Sequence, residues 1–205
     1  MIDAHVHLAC DVRPKALWDS IRNYGLLLLM HRVLGIRDLG NLISLYRNYM
    51  YVNPELTLQY SIIIDKPPYP WYFIRPVLKL EEGVKEVERA FAEGASWIKS
   101  YNNVTEDITK AVIARAKELG LKITGHTTTI GFKRAVEIGF DSIEHIMSLV
   151  DPIKAKSRKE RIKEIIEKWE KIDEGMVEKY VKIMKNHNTS IIPTLALFRS
   201  SVKNL

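Results

Sequence analysis

Short apolar runs alternate along this chain with stretches whose apolar positions recur three and four residues apart, the signatures of strand and helix respectively. Strands are predicted at 2–7, 35–39, 57–64 (rich in β-branched residues), 95–101, 121–125, 140–144 and 190–195. A first helix is expected to begin near Pro14, where a missing N–H costs nothing, and a second to cover Leu26–Leu34 and end at Gly35. Val84, Val87 and Phe91 mark a third, which stops at Gly94. A fourth has Thr105 as its cap, Glu106 and Asp107 in its first turn, and an apolar stripe of Ile108, Ala111, Val112, Ala116 and Leu119. Phe132–Ile138 is a fifth. Such alternation means parallel strands joined by right-handed crossovers.

After the sixth strand the rhythm breaks. Ile162, Ile165, Ile166, Trp169 and Ile172 share one helical face, and Met176, Val177, Tyr180, Val181 and Met184 share another. Residues 151–188 read as a helical excursion over the mouth of one domain spanning 1–205, with a return to the seventh strand. At 205 residues the chain can bury a full core but is shorter than the ~250 typical of an eightfold β/α barrel. Little follows Leu195, too little for another strand–helix unit.

Composition narrows the functional classes. One cysteine, Cys10, excludes an internal disulfide framework, and a packed thiol is expected there. The longest aliphatic run, Leu26–Met30, is far below the ~20 residues that span a bilayer. With no visible leader ahead of the first strand, a cytoplasmic protein without a membrane partner is expected. The net charge of +6 resides largely in Lys154–Arg161 and at Lys179, Lys182 and Lys185, interspersed with Glu. Mixed signs on helices indicate a solvated surface rather than a nucleic-acid site.

The chemistry lies at the strand tips. His5 and His7 end the first strand, Lys99 lies on the fourth, and His126 and His145 follow the fifth and sixth. Strand side chains alternate with period two, so His5 and His7 point the same way and can close on one cation. Single residues from the tips of several parallel strands are how a β/α barrel assembles its site. Imidazole is a ligand for zinc and similar ions. A protonated lysine is not, and one explanation for Lys99 is reaction of its neutral amine with CO2. The resulting carbamate can bridge two divalent cations, one held by His5 and His7, the other by His126 and His145. Two such ions can activate a shared water and polarise a carbonyl.

Asp-Ala-His-Val-His, Trp-Ile-Lys-Ser-Tyr, Thr-Gly-His and Ser-Ile-Glu-His, in that order, resemble motifs of the amidohydrolase superfamily, and most closely its prolidase- and imidazolonepropionase-like branch. Gly-Ile-Arg-Asp-Leu-Gly and Ile-Pro-Thr-Leu resemble the same branch, so the likeness runs from residue 2 to about residue 197. It implies a (β/α)8-type (TIM) barrel, in the α/β class, with two divalent ions (zinc the first choice) bridged by carboxylated Lys99. It further implies a metal-bound hydroxide that attacks an amide or ester carbonyl, with Tyr101 contacting the substrate carbonyl or carboxylate. The substrate expected is a small molecule of the dipeptide or N-acyl amino acid type.

Two departures stand out. No residue matches the family's strand-eight aspartate, and the β-sandwich that many members build around the barrel has no counterpart. An incomplete barrel of about seven strands is therefore expected, weak or inactive by itself and prone to homo-oligomerise through its open edges. Other readings stay open: a non-catalytic metal-binding remnant or assembly module, or a mononuclear deaminase of the same superfamily. Asp3 is expected to orient the first two histidines. Glu144 is expected to point away from the barrel interior, Arg37 and Asp38 to make structural contacts, and His31 and His187 to lie in helices outside the site. Trp169 is read as a helix-packing group that would shape the pocket if the excursion acts as a lid.

Overall fold

Strand alternation sorts side chains to two sides, and that sorting defines the architecture. The structure, a computed structural model, describes residues 1–8, 17–41, 57–150, 152–155 and 157–196. Cys10 and the helix start expected near Pro14 lie outside them. The elements are β1 (Ile2–Val6), α1 (Leu17–Met30), β2 (Gly35–Asp38), β3 (Thr57–Asp65), a two-residue β4 (Arg75–Pro76), α2 (Leu80–Ala92), β5 (Trp97–Ser100), α3 (Glu106–Glu118), β6 (Lys122–Gly125), α4 (Phe132–Ile138), β7 (Ser142–Glu144), a 3-10 turn (Ile146–Ser148), α5 (Arg158–Trp169), α6 (Glu174–His187) and β8 (Ser190–Ile192).

The strands run in the order β1-β2-β3-β5-β6-β7-β8, all neighbours parallel, with β4 beside the end of β3. This is a parallel sheet nearly closed into a β/α barrel. On its outer side Tyr60, Ile62, Ile64, Ile98, Ile123 and Ile143 pack against Val87 and Ala90 of α2, Val112 and Ala116 of α3, and Ala135 and Val136 of α4. The inner side is different. Arg37, Ser61, Lys99, Thr124, Ser142 and Glu144 are all buried, so polar groups occupy positions that aliphatics fill in many barrels. Such groups need partners, and the site is built from those they find.

Several sequence expectations are corrected. The two N-terminal helices are one, α1, with Gly25 buried in mid-helix, and His31 falls in the turn just after it. Phe91 on α2 is half exposed; Gly83, Val87 and Ala90 form the buried stripe instead. The seventh strand ends at Ile192, before Pro193 and Thr194. No helix among the described residues is long and apolar enough to cross a membrane.

Helix caps separate into used and unused ones. Asp173 accepts a hydrogen bond from the Met176 N–H at 2.8 Å, whereas Thr105, though placed as expected, makes no side-chain cap bond. Asp173→Ala is expected to lower the unfolding free energy by about 1 kcal/mol and Thr105→Ala by well under that. Urea denaturation of the two variants side by side would show it; equal losses would contradict the distinction.

Candidate metal centre

All five predicted ligand residues and Tyr101 line a single cavity of about 560 Å³, together with Asp3, Trp71, Ile192 and Thr194. Each reaches it by a different local route. His5 and His7 follow the inward phase of β1, as does Lys99 on β5, with Tyr101 two residues beyond. His126 comes directly after β6, where Gly125 lets the chain pass close to the Ser100 carbonyl; a Cβ there would collide with that oxygen. His145 follows β7 in a left-handed conformation (φ 67°), unusual for a residue with a side chain. Its N–H donates to Ile192 O at 2.8 Å, and the Ile146 N–H donates to Pro193 O at 3.1 Å. The β8 backbone thus holds this turn.

The rings converge. Centroids lie 5.1 Å apart for His5 and His7, 4.6 Å for His5 and His145, and 4.8 Å for His126 and His145. Lys99 Nζ is 3.4 Å from His7 Nε2 and is itself buried. Tyr101 packs on His126 at 4.4 Å and on Trp71 at 5.5 Å.

Burial, followed by the Lys99 charge, pushes His7 down to about 2 and His126 well below the usual imidazole range. Burial and then the charges of His5 and Lys99 take His145 to about 3. His5 is lowered too, chiefly by burial, although its Glu144 hydrogen bond opposes the shift. All four imidazoles are neutral at pH 7, the form that ligates metals.

Glu144 is the residue that sequence reasoning misplaced. Far from pointing outward, it is fully buried inside the barrel. Its Oε2 accepts from His5 Nδ1 at 2.6 Å, and its Oε1 accepts from Arg37 at 2.6 Å, from Ser142 Oγ at 3.2 Å and from Thr124 Oγ1. Burial raises its pKa, but the His5 bond and the Arg37 charge outweigh that and hold it below the ordinary carboxylate range. A carboxylate on Nδ1 places the proton there and leaves His5 Nε2 as a lone pair, the arrangement that orients metal-binding histidines. Asp3 does not do this, since its carboxylate accepts only the His5 backbone N–H at 3.1 Å.

Asn102 serves His126 in the same way, with Oδ1 2.8 Å from Nδ1. Thr194 Oγ1 lies 2.7 Å from His145 Nδ1. Neither partner was foreseen, although both follow strand ends where such supports belong.

A divalent cation can be tested against this donor set. With the Asn102 oxygen on Nδ1, His126 presents a buried Nε2 lone pair that has no hydrogen-bond partner in the structure. An orphaned buried acceptor beside three other neutral imidazoles fits a cation ligand. As placed, no three His, Cys, Asp or Glu side chains among the described residues form a ready-made cage. The donor types suit a metal.

Solved structures share this architecture. The A. niger ochratoxinase superposes with a TM-score of 0.67 at 14% identity, covering 98% of this chain and 54% of that one. A bottromycin amidohydrolase gives 0.58 at 19% identity, covering 81% and 37%, and a further amidohydrolase gives 0.59 at 16%, covering 95% and 52%. The fold is that of the amidohydrolases. The chain spans about half, or less, of the length of these amidohydrolase structures. No family model matches the sequence, and no curated protein does. The amidohydrolase barrel accordingly rests on structure, at identities too low to carry an activity across.

A second cavity, of about 570 Å³, opens at the N-terminal end of the strands between Met1, Arg37, Gln59, Trp97, Lys122 and Ser190. It contains none of the histidines. Arg37 stacks on Trp97 there at 4.4 Å, and Trp97 Nε1 donates to Gln59 at 2.9 Å. These contacts fill the barrel floor beneath the site.

Proposed function

We propose that the chain is a metal-dependent hydrolase of the amidohydrolase type, cleaving the carbon–nitrogen bond of a dipeptide or N-acyl amino acid. The supporting observation is the convergence of His5, His7, His126 and His145, all neutral, around the buried Lys99 in one cavity at the strand C-termini. His5 with His7, and His126 with His145, would hold two divalent cations, with zinc the first choice, and Lys99 as a carbamate would bridge them. When bound, the cations supply Lewis acidity toward water and toward the scissile carbonyl.

The protein's own groups do the rest. Glu144 and Asn102 keep His5 and His126 in the Nδ1–H form. Trp71 and Tyr101 wall the cavity on one side, and Tyr101 would contact the substrate carbonyl there. Water adds to the amide carbon, the C–N bond breaks, and the amine departs with the proton released as the acid forms.

Metal content per chain tests the reading. After purification with zinc and bicarbonate, about two ions per chain are expected, falling clearly in Lys99→Ala. A panel of dipeptides and N-acyl amino acids should then show metal-dependent turnover, weak in this chain for want of the family's strand-eight aspartate, which removal of the metal by chelation abolishes. Bound metal without turnover would favour a non-catalytic metal-binding module, and absence of metal in both proteins would overturn the proposal.

A further inference from the structure

Beside the histidine cavity lies another, of about 650 Å³, lined by Pro70, Tyr101, Asn102, Thr128, Arg161, Ile162 and Ile165. Tyr101 borders both, so its ring is the partition between them. The walls of this outer cavity are chemically divided. Ile162, Ile165 and Pro70 are apolar, and Ile162 keeps 47% of its surface exposed. Arg161 supplies a positive charge, and Thr128 and Asn102 supply polar atoms.

Two cations that follow Arg161 on α5 are paired within the helix. Lys163 pairs with Glu167, and Lys168 with Glu164, one turn along the same helix. Arg161 has no ion pair among the described residues, although it is half-buried. Among the described residues its one side-chain hydrogen bond is a long one, NH2 to Thr128 Oγ1 at 3.4 Å. Asp65 feels the Arg161 charge, but its oxygens accept from the backbone N–H groups of Lys66 and Asn103 and from the Asn103 side chain. A guanidinium presents five N–H donors in a planar fork matched to a carboxylate, and one weak contact leaves most of them free.

Position connects this cation to the chemistry. Thr128 Oγ1 donates to Asn102 Oδ1 at 3.3 Å, and the same oxygen accepts from His126 Nδ1 at 2.8 Å. One side-chain relay therefore separates Arg161 from a histidine of the candidate centre. A substrate whose scissile carbonyl lies among the histidines can pass Tyr101 and set its far end against α5.

We propose that Arg161, with Thr128, is the subsite for the free carboxylate of the leaving amino acid, whose apolar side chain rests on Ile162, Ile165 and Pro70. This deepens the proposed function and rests on it for the identity of the substrate. It selects dipeptides and N-acyl amino acids with an aliphatic or aromatic C-terminal residue, and it disfavours those ending in an amide or in a second cation.

Binding tests this independently of turnover. Calorimetry with the zinc-loaded protein would compare N-acetyl-leucine, N-acetyl-leucinamide and N-acetylglycine. The carboxylate ligand is expected to bind at least about tenfold more tightly than the amide, and the leucine ligand more tightly than the glycine one. Arg161→Met should remove the carboxylate preference, leave amide binding and metal content unchanged, and be partly rescued by Arg161→Lys. Ile162→Asp should weaken N-acetyl-leucine with little effect on N-acetylglycine. Equal affinity for acid and amide, no detectable binding of any ligand, or parallel losses in Arg161→Met would each overturn the subsite. Intact discrimination in a protein that hydrolyses nothing would uphold the subsite and fail the proposed activity instead.

Discussion

Arg37→Met is expected to cost about 3–5 kcal/mol of folding free energy, because it leaves a buried carboxylate without its counter-ion. Arg37 reaches across the barrel interior. Its Nε donates to Ala4 O of β1 at 2.8 Å, NH2 donates to Glu144 of β7 at 2.6 Å, and its plane covers Trp97 of β5. Methionine replaces the aliphatic stem but none of these polar contacts. Glu144 would retain His5, Thr124 and Ser142, none of them a fixed positive charge. Adding Glu144→Gln to the same chain removes the stranded charge and should recover part of the loss, so the double variant is less damaged than the two single losses combined. Urea midpoints of the four proteins give the coupling. A loss below about 1 kcal/mol in Arg37→Met would show that Glu144 does not depend on it.

The metal-free protein should also lose stability as the solution is acidified from pH 6.5 to 5, by about 2 kcal/mol in total. The sign follows from which state binds more protons. His7, His126 and His145 titrate at about 2, well below 6.5 and at about 3 in the folded chain, against 6.5 when unfolded. Below pH 6.5 the unfolded chain takes up protons that the folded one refuses, so these imidazoles cost nothing above about 6.5 and destabilise the fold increasingly as the pH falls.

Two carboxyls act in the opposite direction. Burial raises Asp38 to about 7 and Asp65 to about 6, so each destabilises the fold progressively as the pH rises from the ordinary aspartate value of 3.8 to those values. Three imidazoles outweigh two carboxyls in the window from 5 to 6.5, and Glu144, held low, adds to the acid loss only nearer its unfolded value. Chemical denaturation in a series of buffers tests this. His7→Asn should flatten the profile, and a midpoint that rises on acidification would refute the assignment.

The strand positions and most helix spans could be read from apolar periodicity because burial on the outer side of the sheet is one-sided and regular. Ile98, Ile123 and Ile143 each face helices, so Lys99 and Thr124 had to face inward. The same rule applied one residue too far produced the error at Glu144. His145 was assumed to continue the β7 alternation, which would turn Glu144 outward. The strand ends at Glu144, and the positive φ of His145 swings its ring to the same side as its predecessor. Backbone handedness at a non-glycine residue leaves no mark in the sequence. Arg161 was illegible for another reason: a basic residue on a charged helix looks like any solvated lysine or arginine until it is seen half-buried and without an ion pair among the described residues.

The clamp on the turn after β7 bears on how such a protein can diversify. Carbonyls of Ile192 and Pro193 fasten the N–H groups of His145 and Ile146, so the long connection carrying α5 and α6 leaves and re-enters the barrel through a closed neck. Under the proposed function, whatever hangs from that neck could be lengthened, shortened or exchanged with His145 still held at its base, so that selectivity would drift with the appended helices while the histidine cluster stays fixed. Grafting this connection between related barrels would put that to use.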